Sequence, residues 1–282
     1  MRIRNILIGV MTISGTLMSF AQETNTSILP GHIKITGGMA IQNYQNLKAA
    51  QHQLNGTGST FELGWGKETK RSLWLVTAGM NNVNMKSSLS EYVEVKSTAI
   101  KFDIDYLRRL KEENVNWLLG AGINSNFNLL NNDRLQNDQS TYNFLNTLML
   151  KTAVQKNFSL LGRTVQGEFS LGLGLLALGK DTKSFSFTTP QSFLEKGKYD
   201  YQGAANDADD PFMYHELMTI GNYRRIKTGL KLRFLPKSGK RHFWDVGYSW
   251  DYYSYAEVTD YRVTSGTHNL SLTYNFMFNR KK

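Results

Sequence analysis

About ten stretches of this 282-residue chain alternate apolar and polar side chains at every second position, and that period restricts the fold more than any other feature. A period of two sends successive side chains to opposite faces of an extended strand. The last stretch, Thr267 to Phe278, is the clearest. Leu270, Leu272, Tyr274, Phe276 and Phe278 share one face, and Asn269, Ser271, Thr273 and Asn275 share the other. His32 to Gln42, Thr60 to Gly66, Val115 to Phe127, Thr164 to Leu178, about Leu217 to Leu235 and His242 to Tyr255 alternate in the same way. Tyr142 to Gln155 adds a further segment, and Ser72 to Asn82 is apolar on both faces at its start, which leaves its phase open. Val93 to Arg108 begins with Val93 and Val95 outward and resumes with Ile100, Phe102, Ile104 and Tyr106 outward. A β-bulge near Ser97–Ala99 is expected to absorb that slip.

The connections alternate as well. Lys67–Arg71, Leu110–Asn114, Lys156–Arg163 and Pro236–Arg241 are short, whereas Asn43–Ser59, Val83–Tyr92, Leu130–Thr141, Lys180–Glu216 and Ala256–Gly266 are long. Short turns at one end and long loops at the other, with an even strand count, are the pattern of a barrel that crosses a membrane with both termini on the turn side. The segments reach or approach the ~9–11 residues a tilted strand needs to cross.

The N-terminus carries an export pattern. Arg2 and Arg4 precede an apolar run from Ile6 to Met18, and Ser19-Phe20-Ala21 set small residues before Gln22. That arrangement predicts a signal peptide over 1–21, cleaved after Ala21. The run is shorter than the ~20 residues of a spanning helix and is diluted by Thr12, Ser14, Gly15 and Thr16. The absence of cysteine rules out disulfide staples, which a closed barrel does not need. A mean hydropathy of −0.40 fits a barrel, because lipid-facing and lumen-facing residues average out. The net charge of +10, or +8 once Arg2 and Arg4 are removed, would suggest nucleic acid in another compartment. In an exported chain it points instead to phosphate-rich lipid or anionic solutes.

The export pattern, the alternating loop lengths and the final Tyr274-x-Phe276-x-Phe278 strand together resemble the bacterial outer-membrane β-barrel class of the Gram-negative envelope. The resemblance implies an all-β, antiparallel, up-and-down transmembrane barrel of about ten strands, within roughly eight to twelve, with short periplasmic turns and longer external loops. It also implies that the aromatic last strand is read by the barrel-assembly machinery, although here a basic tail, 279–282, follows the last aromatic. The expected organisation is a signal peptide over 1–21, a short segment over 22–31, the barrel over 32–278 and that tail. The expected surroundings are outer-membrane lipids including lipopolysaccharide, with the protein a monomer, no nucleic acid and no cofactor.

Projected inward, the strands carry Lys34, Glu62, Lys101, Asp103, Asp105, Glu168, Arg225, Lys227, Lys231, Arg233, Asp245 and Asp251. The basic eighth segment lies between a seventh bearing Glu168 and a ninth bearing Asp245 and Asp251, an arrangement that favours cross-strand pairing. Two readings follow: a satisfied polar core filling the barrel, or a narrow porin-like conduit preferring small anions. Outward, Trp65, Trp117, Trp244, Trp250, Tyr252, Tyr274, Phe276 and Phe278 are expected to form the lipid-facing aromatic girdle. The run Trp250, Tyr252, Tyr253, Tyr255 can alternatively stack on sugar rings.

The Lys180–Glu216 connection is too long for a turn and is a candidate for function. Its Asn206-Asp207-Ala208-Asp209-Asp210 run offers oxygen ligands, so Asp207, Asp209 and Asp210 are weak metal candidates lacking the full spacing of a Ca²⁺ loop. His215, Asp209 and Asp210 are weak catalytic candidates at what would be the external rim, where barrel hydrolases of the omptin class keep a His–Asp pair. No motif matches that class residue by residue, so no site is carried over. The expectation is a non-enzymatic envelope protein with a binding, structural or assembly role exerted through its external loops. The anion channel and the rim hydrolase stand as alternatives.

Overall fold

The computed structural model describes residue 29 and residues 31–46, 53–87, 94–112, 115–131, 140–160, 162–181, 216–236, 240–256 and 262–278. Residues 1–21, expected to direct export, residues 279–282 and the candidates Asp207, Asp209, Asp210 and His215 lie outside the described residues.

Alternating segments become antiparallel strands: β1 His32–Asn46, β2 Gln53–Glu68, β3 Ser72–Ser87, β4 Glu94–Glu112, β5 Asn116–Asn131, β6 Ser140–Leu160, β7 Arg163–Asp181, β8 Glu216–Thr219, β9 Tyr223–Phe234, β10 His242–Ala256 and β11 Arg262–Met277. Each is hydrogen-bonded to its neighbours in the order β6-β5-β4-β3-β2-β1-β11-β10-β9-β7, and β7 pairs back onto β6, which closes the sheet. The short β8 and the longer β9 both pair with β7, so they occupy one position in the wall. The result is a closed ten-stranded barrel. The segment expected to run unbroken from Leu217 to Leu235 is interrupted by a turn at Ile220–Asn222, where the Asn222 N–H donates to the Thr219 carbonyl at 3.0 Å.

Most strands outlast their sequence signal. The β1–β2 pairing continues to Gln45↔Gln53, well past the apolar alternation. Beyond Phe61, the outward face of β2 turns to Ser59, Thr57 and Asn55, all exposed. A strand that leaves hydrocarbon keeps its hydrogen bonds but no longer needs oily side chains, so hydropathy stops marking it while the ladder goes on.

The expected bulge near Ser97–Ala99 is absent. The register of β4 against β3 runs without a break from Glu94↔Lys86 to Arg108↔Ser72. Val95 is buried in the interior with Ser97 and Ala99, while Ile100 and Phe102 face out. An apolar residue at a strand end can pack inside the barrel, so its hydropathy alone does not reveal its face. The described bulges lie elsewhere: one between Arg109 and Lys111, and one where Leu148↔Leu176 gives way to Met149↔Gly174. The second leaves both Leu175 and Leu176 exposed on the outer wall. Between β6 and β7 the chain reverses through Gly162 at φ 70°, a left-handed backbone that glycine adopts without a Cβ penalty.

Burial is inverted relative to a water-soluble domain. Leu173 is 41% exposed and Trp117 49%, while Arg225 is 2% and Asp245 1%. Charged groups inside and leucines outside have one sensible solvent, hydrocarbon.

Candidate functional site

The interior of the barrel gathers most of the chemistry-bearing side chains and is built in layers. At the long-loop end, every wall position contributes to one apolar cluster: Ala40 and Tyr44, Val83 and Met85, Val95, Leu130, Leu145, Ala177, Met218 and Tyr223, Tyr253 and Tyr255, Val263, with Leu54 packed against it. At the turn end two smaller apolar groups form, Leu73, Leu107, Leu118 and Ala153 in one and Leu29, Phe243 and Met277 in the other. Charge fills the space between.

The charged layer is paired. The Arg225 guanidinium grips Asp251 with two bonds, Nε to Oδ1 at 3.0 Å and Nη2 to Oδ2 at 2.7 Å, and donates to Thr147 as well. This bidentate fork suits a dry setting, since both charges are nearly sealed from solvent. Lys227 Nζ lies 2.5 Å from Asp103 Oδ2, and Asn124 donates to the other Asp103 oxygen. Lys151 pairs with Asp105. Lys231 meets Glu168 at 2.6 Å, with Gln155 donating to the second Glu168 oxygen at 2.7 Å. Nearer the turns, Arg233 Nε donates to Asp245 at 3.2 Å, and Arg109 contacts Glu68 at 2.5 Å.

Several of these contacts cross the bore. Lys227 and Asp103 stand on β9 and β4, four wall positions apart. Arg233 reaches Glu68, at 3.9 Å, over an equal span from β9 to β2. Asn143 on β6 donates to the Tyr44 hydroxyl on β1, directly opposite, at 3.4 Å. Ser97 adds a bond to Gln42 at 3.0 Å and one to Asn128 at 2.8 Å. The walls therefore touch through their side chains at the long-loop end, in the middle and near the turns.

Inward glycines make room for this traffic. A Cβ on Gly79 would stand 2.5 Å from Glu62 Cγ, and one on Gly122 would collide with the Asp105 carboxylate. Small residues facing large charged ones are how a narrow barrel accommodates its lumen.

All twelve inward candidates named from the sequence lie on the lumen side, though in different circumstances. Nine are ion-paired as described. Lys34, Lys101 and Glu62 are half-buried and have no ion pair among the described residues. The alternation missed Glu68, Arg109 and Lys151. Glu68 and Arg109 share the parity of Glu62 and of Asp103 and Asp105 but fall past the ends assigned to their segments. Lys151 lies on a segment whose faces were not read. Of the aromatic set, Trp65, Trp117, Trp244, Phe276 and Phe278 are exposed, and Trp250, Tyr252 and Tyr274 are partly exposed on the same outward faces. Edge-on pairs such as Trp244–Tyr274, with centroids 4.9 Å apart, knit that surface together. Tyr253 and Tyr255 point inward into the apolar cluster.

An apolar, aromatic exterior around a closed sheet with an ion-paired interior defines a transmembrane β-barrel of the outer-membrane class. No family model matches the chain, and no curated protein matches it in sequence. Among solved structures, the chain is similar to the outer-membrane protease OmpT of Escherichia coli at 9% identity and a TM-score of 0.49, covering 92% of this chain and all of that one. It is similar to the translocator domain of the autotransporter NalP from Neisseria meningitidis at 10% identity and a TM-score of 0.44, covering 96% and 95%. The transport unit of the autotransporter AIDA-I from Escherichia coli gives 11% identity and a TM-score of 0.44, covering 96% of each chain. The membrane assignment rests on the barrel's own two faces rather than on these likenesses.

Proposed function

We propose that this chain is a non-conducting, non-enzymatic outer-membrane barrel that serves as a rigid anchor and acts through its external segments. The observation that carries the reading is the side-chain bracing of the lumen at three levels, beneath an apolar layer supplied by every wall position. An ion conduit needs a continuous polar path, and an apolar constriction excludes water and ions. The connection between β7 and β8, residues 182–215, is the longest in sequence between two strands and the foremost candidate to engage a surface component or partner. In this reading residues 1–21 direct export and are removed, so the mature chain begins at Gln22, and the barrel works as a monomer among outer-membrane lipids.

Planar-bilayer recording of the purified barrel tests the reading. The expected trace is silent over long recordings. Conductance steps whose size falls in Lys227→Glu and Lys231→Glu variants would overturn it in favour of the anion channel. N-terminal sequencing of protein recovered from the envelope checks the export segment, with Gln22 as the expected first residue.

A further inference from the structure

The two halves of the charged layer are not equally balanced. Toward the long loops, Lys101, Lys151, Arg225 and Lys227 are met by Glu62, Asp103, Asp105 and Asp251. Toward the turns, among the described side chains, Lys34, Lys231, Arg233 and Arg109 share Glu168, Asp245 and Glu68, one carboxylate fewer. Those three carboxylates are bonded to Lys231, Arg233 and Arg109, which leaves Lys34 without an ion pair among the described residues. Its neighbouring charges are the cations Lys231 and Arg233 and the carboxylates Asp245 and Glu168. An uncompensated charge inside a barrel is strongly unfavourable.

A second, separate observation falls at the same place. Across the strand pairing, Lys34 sits opposite Asn275 on β11 and Gly64 on β2. Asn275 is completely buried, and neither its Nδ2 nor its Oδ1 has a hydrogen-bond partner. Gln166, equally buried, accepts from Arg233 Nη1 through its Oε1 at 3.0 Å and leaves Nε2 unused. Gln166, Arg233 and Asp245 are successive cross-strand partners on β7, β9 and β10. Asn275 and Lys34 continue that arc on β11 and β1, and Asp245 is a diagonal neighbour of Asn275. The Lys231 side chain is 20% exposed within the lumen. Unused donors and a cation without an ion pair therefore coincide. Buried polar groups rarely go unsatisfied.

We propose that this arc, Lys34 with Asn275, Gln166 and Lys231, is an internal binding site for a small inorganic anion of halide or nitrate size, held with its water. The ion supplies the missing negative charge and accepts from Lys34 Nζ, Asn275 Nδ2 and Gln166 Nε2. The orphaned acceptors nearby, Asp245 Oδ2, Asn275 Oδ1 and Gln155 Oε1, take hydrogens from the accompanying waters. The proposal is independent of whether the barrel conducts.

The test uses the whole barrel, refolded into detergent in chloride or in gluconate at matched ionic strength, gluconate being too large for the arc. Urea unfolding should show a folding equilibrium about tenfold more favourable in chloride, when chloride is at about ten times its Kd. Lys34→Met should abolish the difference and unfold alike in both salts. If Lys34→Met does not fold, Asn275→Leu, which removes a donor without touching a charge, should shrink the difference. Crystals grown in bromide should show an anomalous peak beside Lys34. Equal stability in the two salts together with no bromide peak would mean that water alone fills the arc, and the proposal would fail. A chloride effect that survives Lys34→Met would equally overturn it, because the ion would then be bound elsewhere.

Discussion

The long-loop end of the bore and its middle are closed by opposite kinds of contact. At the loop end, tyrosines, methionines and aliphatic residues from every wall position meet one another, and no counter-charge is involved. A few residues deeper, Arg225 and Asp251, then Lys227 and Asp103, close the same bore with opposite charges. The boundary is one stacked contact, the Arg225 guanidinium lying 5.8 Å from the centre of the Tyr253 ring. The comparison shows that the apolar layer tolerates error better. A wrong aliphatic residue there leaves a gap, whereas a wrong charged residue leaves a buried ion without a partner.

Substitutions in the two layers should therefore separate. The largest effect is expected from Arg225→Leu, which strands Asp251 and should cost about 3–5 kcal/mol of unfolding free energy in urea. The double variant Arg225→Leu with Asp251→Leu should recover most of that loss. A cost below about 1 kcal/mol for the single variant would show that the charged layer is not holding the walls together. Leu145→Ala, in the loop-end cluster, should cost about 3 kcal/mol, and the loss should not change with salt. Lys231→Met leaves Glu168 with Gln155 as its remaining donor in a partly accessible spot, so about 1–2 kcal/mol is expected. Lys96→Glu, on the exposed outer face of β4, should move stability by no more than about 0.5 kcal/mol. If Lys96→Glu matched Arg225→Leu, the distinction between inside and outside would collapse.

Much of the wall is legible from alternation alone, because lipid on one side and charge on the other impose a strict period of two. The final strand, from Leu270 to Phe278, shows this best. Legibility ends where the outside ceases to be lipid. Beyond Phe61 and Ile41 the outward positions become polar, so the strand ends look like loops although the ladder continues. The loop-end cluster was hidden for the converse reason. Val95, Tyr253 and Tyr255 are as apolar or aromatic as belt residues, so their hydropathy does not mark them as inward, although Tyr253 and Tyr255 share the parity of Asp245 and Asp251. Among the charged groups, Lys227 and Asp103 share the inward face by parity. Their contact across the bore depends on the curvature of the closed sheet, which no local pattern encodes. The break at Ile220–Asn222 carries only a weak signal, the Gly221-Asn222 pair.

The contacts spanning the bore also have a mechanical consequence. A hollow tube squeezed from the side flattens readily into an oval, because bending its wall is easy. Struts set along several diameters, as between β6 and β1, β9 and β4, and β9 and β2, make every flattened outline stretch or crush one of them. Such a cylinder keeps a round cross-section under changing lateral pressure. The roots of its external segments then stay at fixed spacings whatever the surrounding bilayer does.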